Sequence, residues 1–182
     1  MPTPTLIVVS GPPRTGTTTL AHALAPAIPC LALCRDEIKE GMVHAQDGEF
    51  RPGAGDALTE PTFTLFFDAV RLLLAGGVTV VAEAAWQDRL WRRGLEPIAG
   101  LARLRIVQCH VDAAVGRERR RAAAEAGAGK AHARLIGDDL EDWQRAYASF
   151  ERVSIPAPSL DVDTTDGYAP DLTAIVEFVN RP

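Results

Sequence analysis

The densest chemical signal in this 182-residue chain lies near its start, in the segment SGPPRTGTTTL spanning Ser10 to Leu20. Gly11 and Gly16 are separated by four residues, Pro12, Pro13, Arg14 and Thr15, and are followed by Thr17, Thr18 and Thr19. Glycines at that spacing let the backbone curl so that successive N–H groups converge on an anion, and a helix opening at the same point adds its positive end. The chemistry indicated is polyphosphate binding by Gly11 to Thr19, with the Thr18 hydroxyl placed on a magnesium ion. One position departs from the pattern. Thr17 stands where a lysine would serve the β- and γ-phosphates, and threonine offers only a hydroxyl. Three readings stay open: an arginine supplies the charge, from Arg14 or from the run near residue 120; nucleotide binds without transfer; or the loop is a coincidental turn.

Further residues could complete phosphoryl transfer. Asp36, in CRDEIKE, follows an apolar run and opens a helical pattern, where a carboxylate can accept a proton from an acceptor hydroxyl. Its plain alternative is a helix cap. Glu83 ends VTVVAE, a position suited to the magnesium water shell, the alternative being a strand-end carboxylate in solvent. Trp86 follows and is placed to wall an acceptor pocket. Arg117 and Arg121 are four apart and share a helix face, with Arg120 beside them and Arg119 pointing elsewhere. Arginines closing from a lid stabilise charge on a transferring phosphoryl group; the alternative is a solvated face paired with Glu118 and Glu125. A metal site built from Cys30, Cys34 and His44 lacks a fourth ligand nearby, so core packing of the three cysteines is the default.

These residues must be held by something, and the apolar runs say what. Leu6–Ser10, Cys30–Cys34, Val78–Glu83 and Leu104–Val111 read as strands buried on both faces, with Leu160–Asp163 a short fifth. Helical patterns alternate with them. Leu20 and Leu24 share a face in a first helix that Pro26 stops, and Phe63, Phe66, Phe67, Val70, Leu73 and Leu74 form a stripe ending at Gly76 and Gly77. Asp138 with Glu141 resembles a capping box ahead of the stripe Ile136, Leu140, Trp143, Tyr147 and Phe150, and Leu172, Ile175, Val176 and Val179 mark a last helix. Strand–helix alternation predicts a parallel sheet covered on both faces, with its ligand crevice at the carboxyl ends of the strands. Two segments interrupt the pattern, 46–59 and 122–133, and both read as mobile loops or lids.

Composition sets limits. With 47% apolar and 24% charged residues the chain suits one compact domain, 1–182. A net charge of −5 argues against nucleic-acid and membrane partners, and no run approaches the length of a bilayer span. The start MPTPTLIVVS lacks a signal-peptide pattern, and an odd number of cysteines in apolar runs suits reduced thiols, so a cytoplasmic location is expected.

The Gly16-Thr17-Thr18-Thr19 ending resembles the P-loops of archaeal-type cytidylate kinases, which also carry threonine at the lysine position. Taken together, the P-loop, RDEIKEGM, VVAEAAW, CHVDAAVGRERRR and LDVDTTDG are similar to the small P-loop kinases grouped with chloramphenicol phosphotransferase and, more distantly, the zeta toxins. The resemblance covers nearly the whole chain. It implies that Asp36 activates the acceptor, that Arg117 and Arg121 are lid arginines within a lid of about 113–136, and that the loop at Asp163, Thr164 and Thr165 flanks the adenine. The expectation is an α/β P-loop NTPase like the nucleoside monophosphate kinases, with five parallel strands in the order 2-3-1-4-5. Its substrate would be ATP or another nucleoside triphosphate with Mg2+, and its acceptor a hydroxyl on a small molecule, an antibiotic or a secondary metabolite. Two alternatives remain: a nucleoside or nucleotide kinase, for which Arg35 and Arg51 would have to hold a monophosphate, and a catalytically silent nucleotide-binding regulator.

Overall fold

The computed structural model describes residues 3–47, 49–126 and 136–181. Five parallel strands, β1 (Thr5–Ser10), β2 (Leu31–Cys34), β3 (Val80–Glu83), β4 (Arg103–His110) and β5 (Ser159–Asp163), form one sheet in the order β2-β3-β1-β4-β5. This is the expected order. β1 lies at the centre, with Val9 level with Glu83 on one side and Val107 on the other. Every residue of β1 is buried, as a central strand covered on both faces requires.

The pleat divides the core in two. Leu6 and Val8 face an aromatic layer formed by α3 (Thr59–Ala75) and α4 (Asp88–Leu95), where Phe63, Phe66, Phe67, Trp86 and Trp91 pack edge to face or stacked. Ile7 and Val9 face α1 (Thr17–Ala27) and α7 (Leu172–Asn180) through Leu20, Leu24, Ile175 and Val179. Close packing on the first face admits no side chain at Gly94, where a Cβ would overlap the Phe67 ring. The remaining helices are α2 (Arg35–His44), α5 (Ala113–Glu125) and α6 (Leu140–Ala148), with one 3-10 turn at Glu96–Ile98.

Some elements depart from the sequence reading. Pro26 lies inside α1, which runs on to Ala27; a proline so near the end of a helix has little of it left to break. The N-cap of α6 is Asp139, one residue beyond Asp138, and Asp139 makes no side-chain capping bond. Residues 122–125 complete α5 rather than starting a loop. The rest of the 122–133 segment, from 127 on, and the last part of the expected lid lie outside the described residues. The described residues of the segment 46–59 form a loop up to α3, which takes Thr59, and Asp56 ties that loop down. Its Oδ2 accepts from Lys39 Nζ at 2.6 Å and from Gly53 N–H, and its Oδ1 from Leu58 N–H. Burial pushes the Asp56 carboxyl up, yet these donors, Lys39 first, hold it below the usual range. No described helix is long and apolar enough to cross a membrane.

Candidate active site

The phosphate loop joins β1 to α1 and is built from behind by three of its own residues. Gly11 is buried where a Cβ would overlap Cys109 O, so only glycine lets the chain leave the strand there. The Pro12 carbonyl accepts both the backbone N–H of Thr15 and, at 2.7 Å, its hydroxyl, which closes the turn. Arg14 and Gly16 then take positive φ, 69° and 79°. The strain at Arg14, a residue with a Cβ, is held by the chains packed over it: Tyr147 Oη donates to Pro13 O at 2.7 Å, and Thr164 Oγ1 to Thr15 O at 2.6 Å. Below the loop, Ser10 Oγ donates to Trp86 O and accepts from Trp91 Nε1 at 3.0 Å, fixing the end of β1 against the β3–α4 connection.

A crevice of about 1120 Å³ opens at the carboxyl ends of the strands. Pro13, Arg14, Gly16, Thr17, Thr18 and Thr19 line its floor, while Gly11, Pro12 and Thr15 lie behind it. α1 begins at Gly16 with no side-chain cap, which leaves its first N–H groups to serve an anion. Thr17 turns its hydroxyl onto Glu83 Oε1 at 2.6 Å, and Thr18 donates to Oε2 at 3.2 Å. Glu83 is 3% exposed. Burial pushes its carboxyl up to about 7, against the threonine donors, and the nearby charge of Asp36 pushes the same way. A carboxylate and two hydroxyls at the root of an uncapped helix are hard oxygen donors that fit a magnesium–triphosphate complex, with Thr18 and Glu83 as the cation's partners.

Asp36 also lines this crevice. It is the second residue of α2, whose N-cap is Cys34, so capping is not its task. Arg35 Nη1 donates to its Oδ1 at 2.8 Å. The wall beyond it is polar and mixed in charge, with Arg35, Lys39, Glu40, Thr59 and the edge of Trp86. Arg35 Nε is buried with no hydrogen-bond partner. Arg51, in contrast, projects into solvent beside Glu49 and reaches none of this.

The arginine helix is rotated relative to the sequence reading. Arg121 pairs with Glu118 at 2.7 Å and approaches Glu125 on the outer face, and Arg117 is likewise exposed; neither lines the crevice. Arg119 and Arg120 do. The physical reason is Gly116, the one buried residue of α5, where a Cβ would overlap the Tyr147 hydroxyl of α6. Positions three and four beyond it share its face. Arg119 is spent on structure, donating to Thr164 Oγ1 at 3.3 Å, to the Thr165 carbonyl and to Arg14 O, and so clamps the phosphate loop to the β5–α7 connection. Arg14 and Arg120 are the cations crowded over the loop. Burial first, then the charge of Arg120, holds the Arg14 guanidinium below the usual arginine range. Thr165 is exposed, its carbonyl accepting from Arg119 and its N–H donating to Asp163 Oδ1; Thr164, with Gly167 and Tyr168, forms that end of the crevice. Cys30 and His44 do not meet Cys34, whose neighbour is His22, and all three cysteines are free thiols.

Sheet order, loop and crevice together define a P-loop NTPase. Within that class the chain belongs to the AAA domain family AAA_33, whose profile matches residues 6–152. No curated protein matches it. Among solved structures it is similar to a protein of Chloroflexus aurantiacus classed as a kinase by inference, at 24% identity and TM-score 0.82, with 98% of this chain and 97% of that one covered. A gluconokinase of Sinorhizobium meliloti gives 18% identity and TM-score 0.58, covering 98% and 91%. The APS kinase CysC of Mycobacterium tuberculosis, solved in complex with AMPPNP and APS, gives 14% and 0.64, with both chains fully covered. At these identities the likeness is one of fold, and the fold is that of P-loop kinases.

Proposed function

We propose that this chain is an ATP-dependent phosphotransferase that moves a γ-phosphoryl group to a hydroxyl of a small molecule. The observation that carries the proposal is that Asp36 lines the same crevice as Thr18 and Glu83, close enough for its charge to act on Glu83. A base candidate and a cation-binding pair thus face one cleft. The loop and the start of α1 hold the phosphates, while Arg14 and Arg120 supply the positive charge that Thr17 does not. Magnesium, when bound, supplies neutralisation of the phosphate charge. Asp36 accepts the proton of the acceptor hydroxyl, with Arg35 holding the carboxylate in place.

The acceptor wall favours a compact, hydroxyl-rich molecule over an apolar drug-like one. Arg35, Glu40 and Thr59 can hydrogen-bond to several hydroxyls, and the buried Lys39, held by Asp56, keeps that wall charged. An antibiotic acceptor would have to be comparably polar. The nucleotide-kinase alternative loses one of its two arginines, since Arg51 stands in solvent. The test is a single-turnover assay with γ-labelled ATP against polyols, sugar acids, aminoglycosides and nucleosides. Label should appear on one hydroxyl class. Tight ATP binding with neither transfer nor slow hydrolysis would instead make the chain a silent nucleotide-binding regulator.

A further inference from the structure

Beside the crevice, on whose wall Glu37 also lies, three side chains of different chemistry converge where α1, the end of β2 and the first turn of α2 meet. His22 Nε2 lies 2.5 Å from Glu37 Oε1 and 3.8 Å from Cys34 Sγ, and the three donor atoms are all within 4.8 Å of one another. Cys34 and Glu37 are separated by two residues at the opening of α2, the short spacing that brings two ligands onto one side of a metal, and His22 comes across from α1. The Cys34 thiol is buried, whereas the His22 and Glu37 side chains are about half exposed, at 51% and 54%. The cluster therefore has a closed inner side and an open outer one.

We infer that His22, Cys34 and Glu37 form a binding site for a zinc-class divalent cation, distinct from the magnesium position at Thr18 and Glu83. Sulfur, imidazole nitrogen and one carboxylate oxygen are the donor set of such metals and are poorly matched to magnesium, which takes oxygen. Around a tetrahedral ion the Cys34 sulfur would draw in slightly from 3.8 Å and the His22–Glu37 pair would open from 2.5 Å to roughly 3.3 Å. The fourth position faces solvent and takes water. Binding replaces the thiol proton with the metal, and the proton leaves to bulk water. As a plain exposed ion pair, His22–Glu37 would stabilise the fold little. The pair gains a purpose once the thiol is counted with it.

The site adjoins the crevice through Glu37, which lines it, and through Cys34, which lies level with Glu83 where β2 pairs with β3. The inference does not depend on the kinase reading. It rests on donor geometry alone and is tested without substrate.

The full-length protein is titrated with Co2+ and the near-ultraviolet absorption of cobalt–thiolate bonding is followed. One equivalent should give that band, Zn2+ should abolish it, and excess Mg2+ should leave it. Cys34→Ser should remove the band while Cys30→Ser keeps it. Because Cys34 is buried and its variant can perturb the fold, His22→Gln and Glu37→Gln carry the decision: both residues are exposed, and each should weaken zinc binding on the order of tenfold or more with unfolding unchanged. The inference is overturned if no thiolate band forms, if Mg2+ displaces the cobalt, or if both surface variants bind zinc as tightly as the parent.

Discussion

The hydroxyl of Thr17 donates to Glu83 Oε1 across 2.6 Å, so the residue that replaces the P-loop lysine is bonded to the carboxylate at the end of β3. Its hydroxyl is committed to a buried acid. Thr17 is 6% exposed, and Thr17→Val keeps its shape while deleting the donor. The lost bond leaves Glu83 with one donor fewer, and we expect a destabilisation of about 1–3 kcal/mol at pH 8, read from urea unfolding. Thr17→Ser keeps the hydroxyl and should lose much less. A larger loss in Thr17→Ser than in Thr17→Val would show that the methyl group, not the bond, matters at this position.

Glu83 itself makes stability depend on pH. Its carboxyl is raised to about 7 from an ordinary 4.5, chiefly by burial. Between those values the folded protein holds a proton that the unfolded chain has released, so this group's contribution to stability falls as pH rises from about 4.5 to about 7 and is level above. Glu83→Gln removes the penalty. Relative to the parent it should be neutral near pH 4 and more stable above pH 7, by on the order of a few kcal/mol, in unfolding curves taken with a chelator present. The same variant should lose phosphoryl transfer, since the cation site is gone.

Much of the fold was legible because parallel strands buried on both faces read as continuous apolar runs, and four of the five stood out that way. α4 did not stand out: it is short and largely charged, and Trp91 and Leu95, one turn apart, are its inward signal. The phosphate loop was legible from two glycines. The orientation of α5 was not, because four arginines in five residues present a cation in nearly every direction and the sequence count cannot choose among them. Gly116 was the available clue. A glycine in an otherwise polar helix marks a close approach, here to Tyr147, and Arg119 and Arg120 follow from it by helical spacing. Likewise His22 could not be joined to Cys34 and Glu37 by spacing, since it reaches them only through the packing of α1 against β2.

That orientation separates the arginines by experiment. Arg14→Ala and Arg120→Ala should each weaken ATP binding about tenfold or more, as loss of a charge-assisted bond to phosphate does. Arg117→Ala and Arg121→Ala, on the outer face, should leave it within about twofold, as solvated surface charges do. Calorimetry on the four variants decides between the two faces. If Arg121→Ala is the damaging change, α5 must turn in the bound state and the open crevice does not represent it.

Arg119→Ala should behave differently from either group. Its guanidinium bridges Arg14 O, Thr164 Oγ1 and the Thr165 carbonyl, so its removal loosens two loops at once. We expect lower thermal stability in the nucleotide-free protein together with weaker ATP binding, whereas Arg120→Ala should weaken binding with stability kept. A thermal unfolding scan with and without nucleotide separates the two. An unchanged melting temperature for Arg119→Ala would make the clamp energetically idle.

Asp36 carries the chemical step in the proposed reaction, and its surroundings allow a clean substitution. It sits in the first turn of α2 without capping it, and its Oδ1 accepts from Arg35, a bond that the amide oxygen of asparagine can also accept. Asp36→Asn therefore preserves shape and the Arg35 contact while removing the basic oxygen. We expect turnover to fall by about 10²- to 10⁴-fold with ATP affinity nearly unchanged, the pattern of a group that acts on the proton in the transition state. Turnover that survives in the variant would move the base elsewhere on the wall, to Glu37 or Glu40, the other carboxylates of that stretch.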